Sequence, residues 1–173
     1  MKHHQTEKEC WVVTYRQRRP AWDALLYTDV VEEALCFGWI DGQAGTLDKM
    51  HQLRRFTPRR KGSPYSQPNI EWLILMDKMG LIHPKVRANE EVEKAISTPF
   101  VFPADILDAI RADEMAWKNY QSFSDSYKRI RIAYIDAARK RPDEFRKRLE
   151  NFIAKTHQNK KIIGFGGIDK YYQ

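Results

Sequence analysis

Apolar and β-branched residues crowd the stretch CWVVTYRQ (10–17), which predicts a strand. Arg18-Arg19-Pro20 is expected to end it. The apolar period then lengthens to that of a helix. Thr28 is placed to cap a helix over 29–37, whose Asp29, Glu32 and Glu33 suit the positive end of the helix dipole, and Gly38 is placed to stop it. Residues 38–47 and 50–57 read as two strands joined by a turn at Asp48-Lys49. Two registers stay open. A two-residue loop sets Asp41 beside Phe56 and on the face of Arg54, whereas one further residue gives that face to Arg55.

Turn chemistry in KGSPYSQPN, with Ser66 as an N-cap and Pro68 in the first turn, predicts a helix from there to about Met79. Ile70, Leu73 and Ile74 form its expected apolar face, and Gly80 its end. One more helix is expected within 84–97. STPFVFP, with Pro99 and Pro103, reads as a connector. Beyond it the 3.6-residue period dominates. Ile106, Leu107 and Ile110 mark one helix, and 114–120 a short second. A third opens at Ser124 or Ser126 with Tyr127, Ile130 and Tyr134 on one face. A fourth opens at Pro142 with Phe145, Leu149, Phe152 and Ile153 inward. The fold class predicted is α+β: a small antiparallel hairpin or sheet with helices over 1–97, then a helical region over 98–173.

Composition narrows the class. Of 173 residues, 42% are hydrophobic and 12% aromatic, enough for a packed core and against wholesale disorder. The opening MKHHQTEKEC lacks the apolar run of a signal peptide, and no stretch has the roughly 18 apolar residues of a membrane helix. The two cysteines, Cys10 and Cys36, stand apart among apolar neighbours, which reads as reduced thiols in a cytoplasmic protein without membrane insertion. A net charge of +7 favours anionic partners: a small anion, an acidic protein or, less favoured, nucleic acid.

The charge falls in two blocks. Arg54, Arg55, Arg59, Arg60 and Lys61 form the sharper one, and guanidinium groups on a turn grip phosphate or carboxylate. Trp39 and Tyr65 flank it and can stack on a ligand ring or pack inside. Asp41 can act as a general base, but no second titrating group stands beside it in sequence. Ser63 and Ser66 lack a GxSxG setting and read as turn and cap residues. The five histidines have no zinc spacing, so no metal and no cofactor are expected. GFGG (164–167) is not a dinucleotide fingerprint. The second block, from Lys128 to Lys161 on the last two helices, reads as a solvated face.

VEEALCFGWIDG followed by RRFTPRRKGSPYSQPN resembles the signature of the YdeI/OmpD-associated family, small bacterial proteins also labelled bacteriocin-protection proteins. The resemblance rests on Cys36 to Asp41, Arg55 to Arg60, Ser63, Ser66 and Asn69. Tyr65 stands where the family usually has Trp, so the ring is kept and the indole N–H is lost. PADILDAI and the segment from Ser122 to Phe152 are similar to the family's C-terminal helical part, with Arg146 and Arg148 as the corresponding basic positions. The resemblance implies a stress or bacteriocin-tolerance setting without an assigned reaction. It also implies a functional patch of Trp39, Asp41, Arg55, Arg59, Arg60, Ser63, Ser66 and Asn69. Together the readings favour a non-enzymatic protein that binds an anionic ligand or acidic partner through the Arg-rich hairpin. The alternatives are an enzyme with Asp41 as base and the arginines as substrate clamp, or a nucleic-acid-binding protein.

Overall fold

The computed structural model describes residues 3–16 and 25–163. The expected break at Pro20 and the GFGG motif lie outside these residues. The chain divides into two compact units, Met1–Ser97 and Thr98–Gln173. It is α+β: a three-stranded antiparallel sheet with helices in the first unit, and helices alone in the described part of the second.

The first unit begins with β1 (Cys10–Tyr15), which alternates between solvent and interior: Trp11 and Val13 point out, and Thr14 is buried. Helix α1 (Tyr27–Cys36) buries Val31, Ala34, Leu35 and Cys36 and lies against β1 and the strand that follows it. The expected Thr28 cap is corrected. The N-cap is Leu26, without a side-chain bond, and Thr28 sits inside the first turn. The Tyr27 hydroxyl donates to Asp41 Oδ2 at 2.7 Å, so a contact made across the fold fixes the first helical residue.

Gly38 ends α1 in the left-handed region, φ +74°, with its N–H donating to Leu35 O. A Cβ there would stand 3.2 Å from Val86 Cγ2. Gly38→Ala should therefore lower stability by about 1–2 kcal/mol from the backbone alone, with the Val86 contact adding to it. A urea melt of the variant checks this.

Strands β2 (Trp39–Thr46) and β3 (His51–Pro58) form the hairpin, and β3 is central in the order β1-β3-β2. The loop is longer than two residues. The Asp48 carboxylate accepts the Met50 and His51 amides at 2.7 and 2.8 Å, an Asx turn that carries the chain around. Near the turn Thr46 faces Gln52 and Ala44 faces Arg54. A bulge between Asp41 and Ala44 then resets the ladder, so that Asp41 faces Phe56. The pairing expected from a two-residue turn is thus reached by another route, and Asp41 and Arg54 share the inner face.

Helix α2 (Gln67–Lys78) follows, with Ser66 at the N-cap position and Pro68 in the first turn. Its buried face is Trp72, Leu73 and Met76, with Glu71; Ile70 and Ile74 are only half-buried, so the apolar stripe is rotated from the expected one. The single helix expected within 84–97 is two, α3 (Pro84–Arg87) and α4 (Glu90–Ser97). Asn89 separates them, because its side chain accepts the Glu91 amide and starts the second helix afresh. Helix α4 packs against α2 through buried Val92.

In the second unit, α5 (Ala104–Arg111), α6 (Glu114–Ser122), α7 (Asp125–Asp136) and α8 (Pro142–His157) enclose a core of Ile106, Ile110, Tyr120, Tyr127, Ile130, Ile135 and Phe152. Asp113 caps α6 by accepting the Ala116 amide at 2.9 Å. Tyr134, expected on one face with Tyr127 and Ile130, is half-buried while they are buried, and Arg131 takes an interior place at 2% exposure. The chain beyond α8 folds back. The Ile162 N–H donates to the Tyr127 hydroxyl at 2.8 Å, and Arg131 Nη2 donates to Ile162 O at 2.5 Å.

Candidate anion-binding cleft

The hairpin distributes its arginines over both faces, as the period of two requires. Arg54 lies on the inner face, its guanidinium 4.5 Å from the Tyr27 ring centre. The same ring's hydroxyl is held by Asp41, and burial first, then that bond, pushes the Tyr27 pKa up. Arg55 lies on the outer face, with Nε 2.7 Å from Glu9 Oε2. That bond holds the Glu9 carboxyl below its ordinary range. Asp41 and Arg55 therefore point to opposite sides and do not meet at one position. Trp39, at 2% exposure, is core, and its indole N–H donates to His4 O at 3.0 Å.

Arg59 is held differently. Its amide donates to Gly38 O at 2.9 Å, and its guanidinium carbon sits over the Tyr65 ring, 3.5 Å from the ring centre. The side chain is 8% exposed. A guanidinium held over a ring, on a backbone that is itself bonded, is pre-positioned before any ligand arrives. This contact uses the ring face, which Tyr65 supplies as well as a Trp would. Burial raises the Tyr65 pKa. The turn after Arg59 places Gly62 in the left-handed region, φ +79°.

Facing this turn is the start of α4. Glu91 Oε2 accepts from Arg59 Nη1 at 2.9 Å, and Glu91 Oε1 accepts from the Gly62 amide at 2.7 Å. The Gly62 bond and then Arg59 hold the Glu91 carboxyl below its ordinary range. Around the pair lies a cleft of about 530 Å³, lined among others by Arg59, Lys61, Tyr65, Lys85, Glu90 and Glu91. Lys61 and Lys85 are exposed at its rim.

Of the residues singled out in the sequence, the cleft gathers Arg59, Lys61 and Tyr65. Arg60 and Ser63 lie on the exposed turn beside it, the Ser63 amide donating to Arg60 O at 3.3 Å; Ser66 begins α2 and Asn69 is half-buried in its first turn. Sequence reading missed Lys85 and Glu91, which come from helices further along the chain, Glu91 32 residues beyond Arg59. The one signal for Glu91 was the acidic run Glu90-Glu91-Val92-Glu93, opposite in charge to the arginine block.

The second basic block is only in part a solvated face. Arg131 is buried against the folded-back chain. Arg148 stacks on Tyr134 at 3.7 Å, donates to Tyr134 O at 2.7 Å and pairs with Glu144 at 2.7 Å. Arg139 bonds both oxygens of Asp105 at 2.8 and 2.9 Å. These cations are spent on tertiary structure, while Arg146 and Lys147 remain exposed. Among the described residues no three His, Cys, Asp or Glu side chains converge on a metal position, and no helix is long and apolar enough to cross a membrane.

A small sheet-and-helix unit with a basic cleft, followed by a helical unit, defines a two-part α+β protein. Residues 1–89 match a family described as a domain of unknown function, DUF8412, and residues 99–159 match the bacteriocin-protection, YdeI or OmpD-associated domain. The chain belongs to the DUF8412 family, and its second unit is similar to the YdeI/OmpD-associated domain. The signature around Cys36 to Asn69 falls in the DUF8412 part, whereas the bacteriocin-protection match falls on α5 to α8. No curated protein and no solved structure matches the chain.

Proposed function

We propose that the first unit is a non-enzymatic binding module that takes a small anionic ligand in the cleft at Arg59, and that it serves a bacteriocin- or stress-tolerance role through the domain joined to it. The observation that carries this reading is the buried Arg59 guanidinium, held over the Tyr65 ring at the wall of a cleft with Lys61 and Lys85 at its rim. The cleft volume falls in the range of small-molecule sites. The free thiols of Cys10 and Cys36 support a reducing compartment. Against the enzymatic alternative, Asp41 is bonded to Tyr27 and is not among the cleft's lining residues.

A thermal-shift and calorimetric screen tests this with inorganic phosphate, sugar phosphates and small carboxylates. An anion present at 100 times its Kd should stabilise the protein by about 2.7 kcal/mol. That corresponds to a shift of a few degrees in Tm. The double variant Lys61→Ala/Lys85→Ala removes two exposed cations and should leave the fold intact while weakening binding at least several-fold. Binding that ignores this variant, or no binding of any anion by the wild type, overturns the reading.

A further inference from the structure

The seat next to Arg59 already holds an anion, and that anion is the protein's own. The Glu91 carboxylate receives one charge-assisted bond from a buried guanidinium and one from a turn amide, each to a different oxygen. We propose that the ligand of the cleft is a carboxylate, and that Glu91 is its intramolecular stand-in, occupying the seat between Arg59 Nη1 and the Gly62 amide until the ligand's carboxylate displaces it. The inference rests on the cleft reading above and adds the ligand's chemical class and the residue that controls access.

Three observations carry it. The seat survives without Glu91, because Arg59 is held by Tyr65 and by the bond of its amide to Gly38 O. Helix α4 also survives, because its first turn is capped by Asn89 through the Glu91 backbone and not through the Glu91 side chain. The Glu91 side chain is 30% exposed at the cleft mouth, against 8% for Arg59, so the carboxylate has solvent to swing into while the guanidinium stays.

The donor set chooses among anions. Phosphate is typically cradled by several successive backbone amides. Here a single turn amide and one guanidinium N–H address two oxygens, which is what a planar carboxylate presents. Glu90 on the same wall disfavours a compact dianion close to Arg59, whereas Lys61 and Lys85 at the rim suit a second carboxylate some distance from the first.

Calorimetric titration of the full chain with succinate, with the dipeptide acetyl-Glu-Glu-amide and with inorganic phosphate tests the proposal, on wild type, Glu91→Ala and Glu91→Gln. An internal occupant that fills the seat nine-tenths of the time reduces apparent affinity by its share, so Glu91→Ala should bind succinate roughly tenfold tighter than wild type. Glu91→Gln, which keeps an acceptor for Gly62 and loses the charge, should fall between the two. Phosphate should gain less than succinate in both variants. The dipeptide arm identifies the source: tighter binding of the dipeptide than of succinate supports the carboxylate class and assigns it to an acidic protein segment.

Equal succinate affinity in wild type and in folded Glu91→Ala and Glu91→Gln proteins overturns the stand-in role and leaves the cleft reading standing. A gain for phosphate without one for succinate overturns the ligand class. If no anion binds any variant, the cleft reading itself falls. Thermal melts of the three proteins accompany the titrations, and Glu91→Gln carries the test should Glu91→Ala melt early.

Discussion

Trp39→Ala is expected to lower the stability of the protein by about 3–5 kcal/mol, the usual cost of emptying a buried Trp site. Trp39 is 2% exposed and lies in a core with Leu35, Phe56 and Trp72 at similar burial, so its removal leaves a cavity with little freedom to collapse. The indole also ties the segment before β1 to the sheet through its bond to His4 O. Trp39→Phe keeps most of the apolar contact and loses that bond, at about 1 kcal/mol. Trp11→Ala is the control. Trp11 is 45% exposed on the outer sheet face, so its replacement should change stability by about 0.5 kcal/mol or less. Urea melts of the three variants give the ranking. Anion affinity in Trp39→Phe should match wild type, since the residue packs inside the unit and does not line the cleft.

The second large effect is expected at Phe152. The ring is 1% exposed and meets Tyr120 edge-on and Tyr127 at a tilt, each with ring centres 6.3 Å apart. It fills the seam where α8 packs on α6 and α7. Phe152→Ala should cost about 3–5 kcal/mol. The loss also loosens Tyr127, whose hydroxyl receives the Ile162 N–H, so the folded-back chain beyond α8 should lose amide-exchange protection at Ile162 with the core. Phe145 on the same helix makes a sharp comparison. It is half-buried beneath Arg139, 5.1 Å from the guanidinium, and Phe145→Ala should cost well under half as much. Denaturant melts with exchange measured at Ile162 check both variants.

These two positions also show what was legible in the sequence. Periodicity placed nearly every element, because strand alternation and the helical 3.6 repeat are local properties. It put Phe145 and Phe152 on one inward face, and it could not tell which of the two the neighbouring helices would cover. The same limit explains Ile70 and Ile74: the helix was legible, but the rotation of its buried face depends on what packs against it. Arg131 is the strongest case. In sequence it is one cation of a basic run, and only the fold places it inside, over the Tyr127 ring and bonded to Ile162 O. At the cleft, Arg59 and Tyr65 were legible as a basic, aromatic turn. Glu91 and Lys85 were not, since nothing local to the turn marks residues on α3 and α4. Asp41 and Arg55 were adjacent in the motif but are separated in space by the pleat, and a one-residue ambiguity in register was enough to hide that.

The bulge between Asp41 and Ala44 also governs how this hairpin can change length through descent. Gly42 and Gln43 together oppose the single residue Arg55. One of them is the extra residue of the bulge. Removing either restores a continuous ladder and leaves Asp41 opposite Phe56 and Trp39 in the interior. A residue lost between Trp39 and Asp41 instead reverses the side on which the indole emerges and turns it to water. Length is therefore negotiable at one point of the strand and fixed two residues away from it.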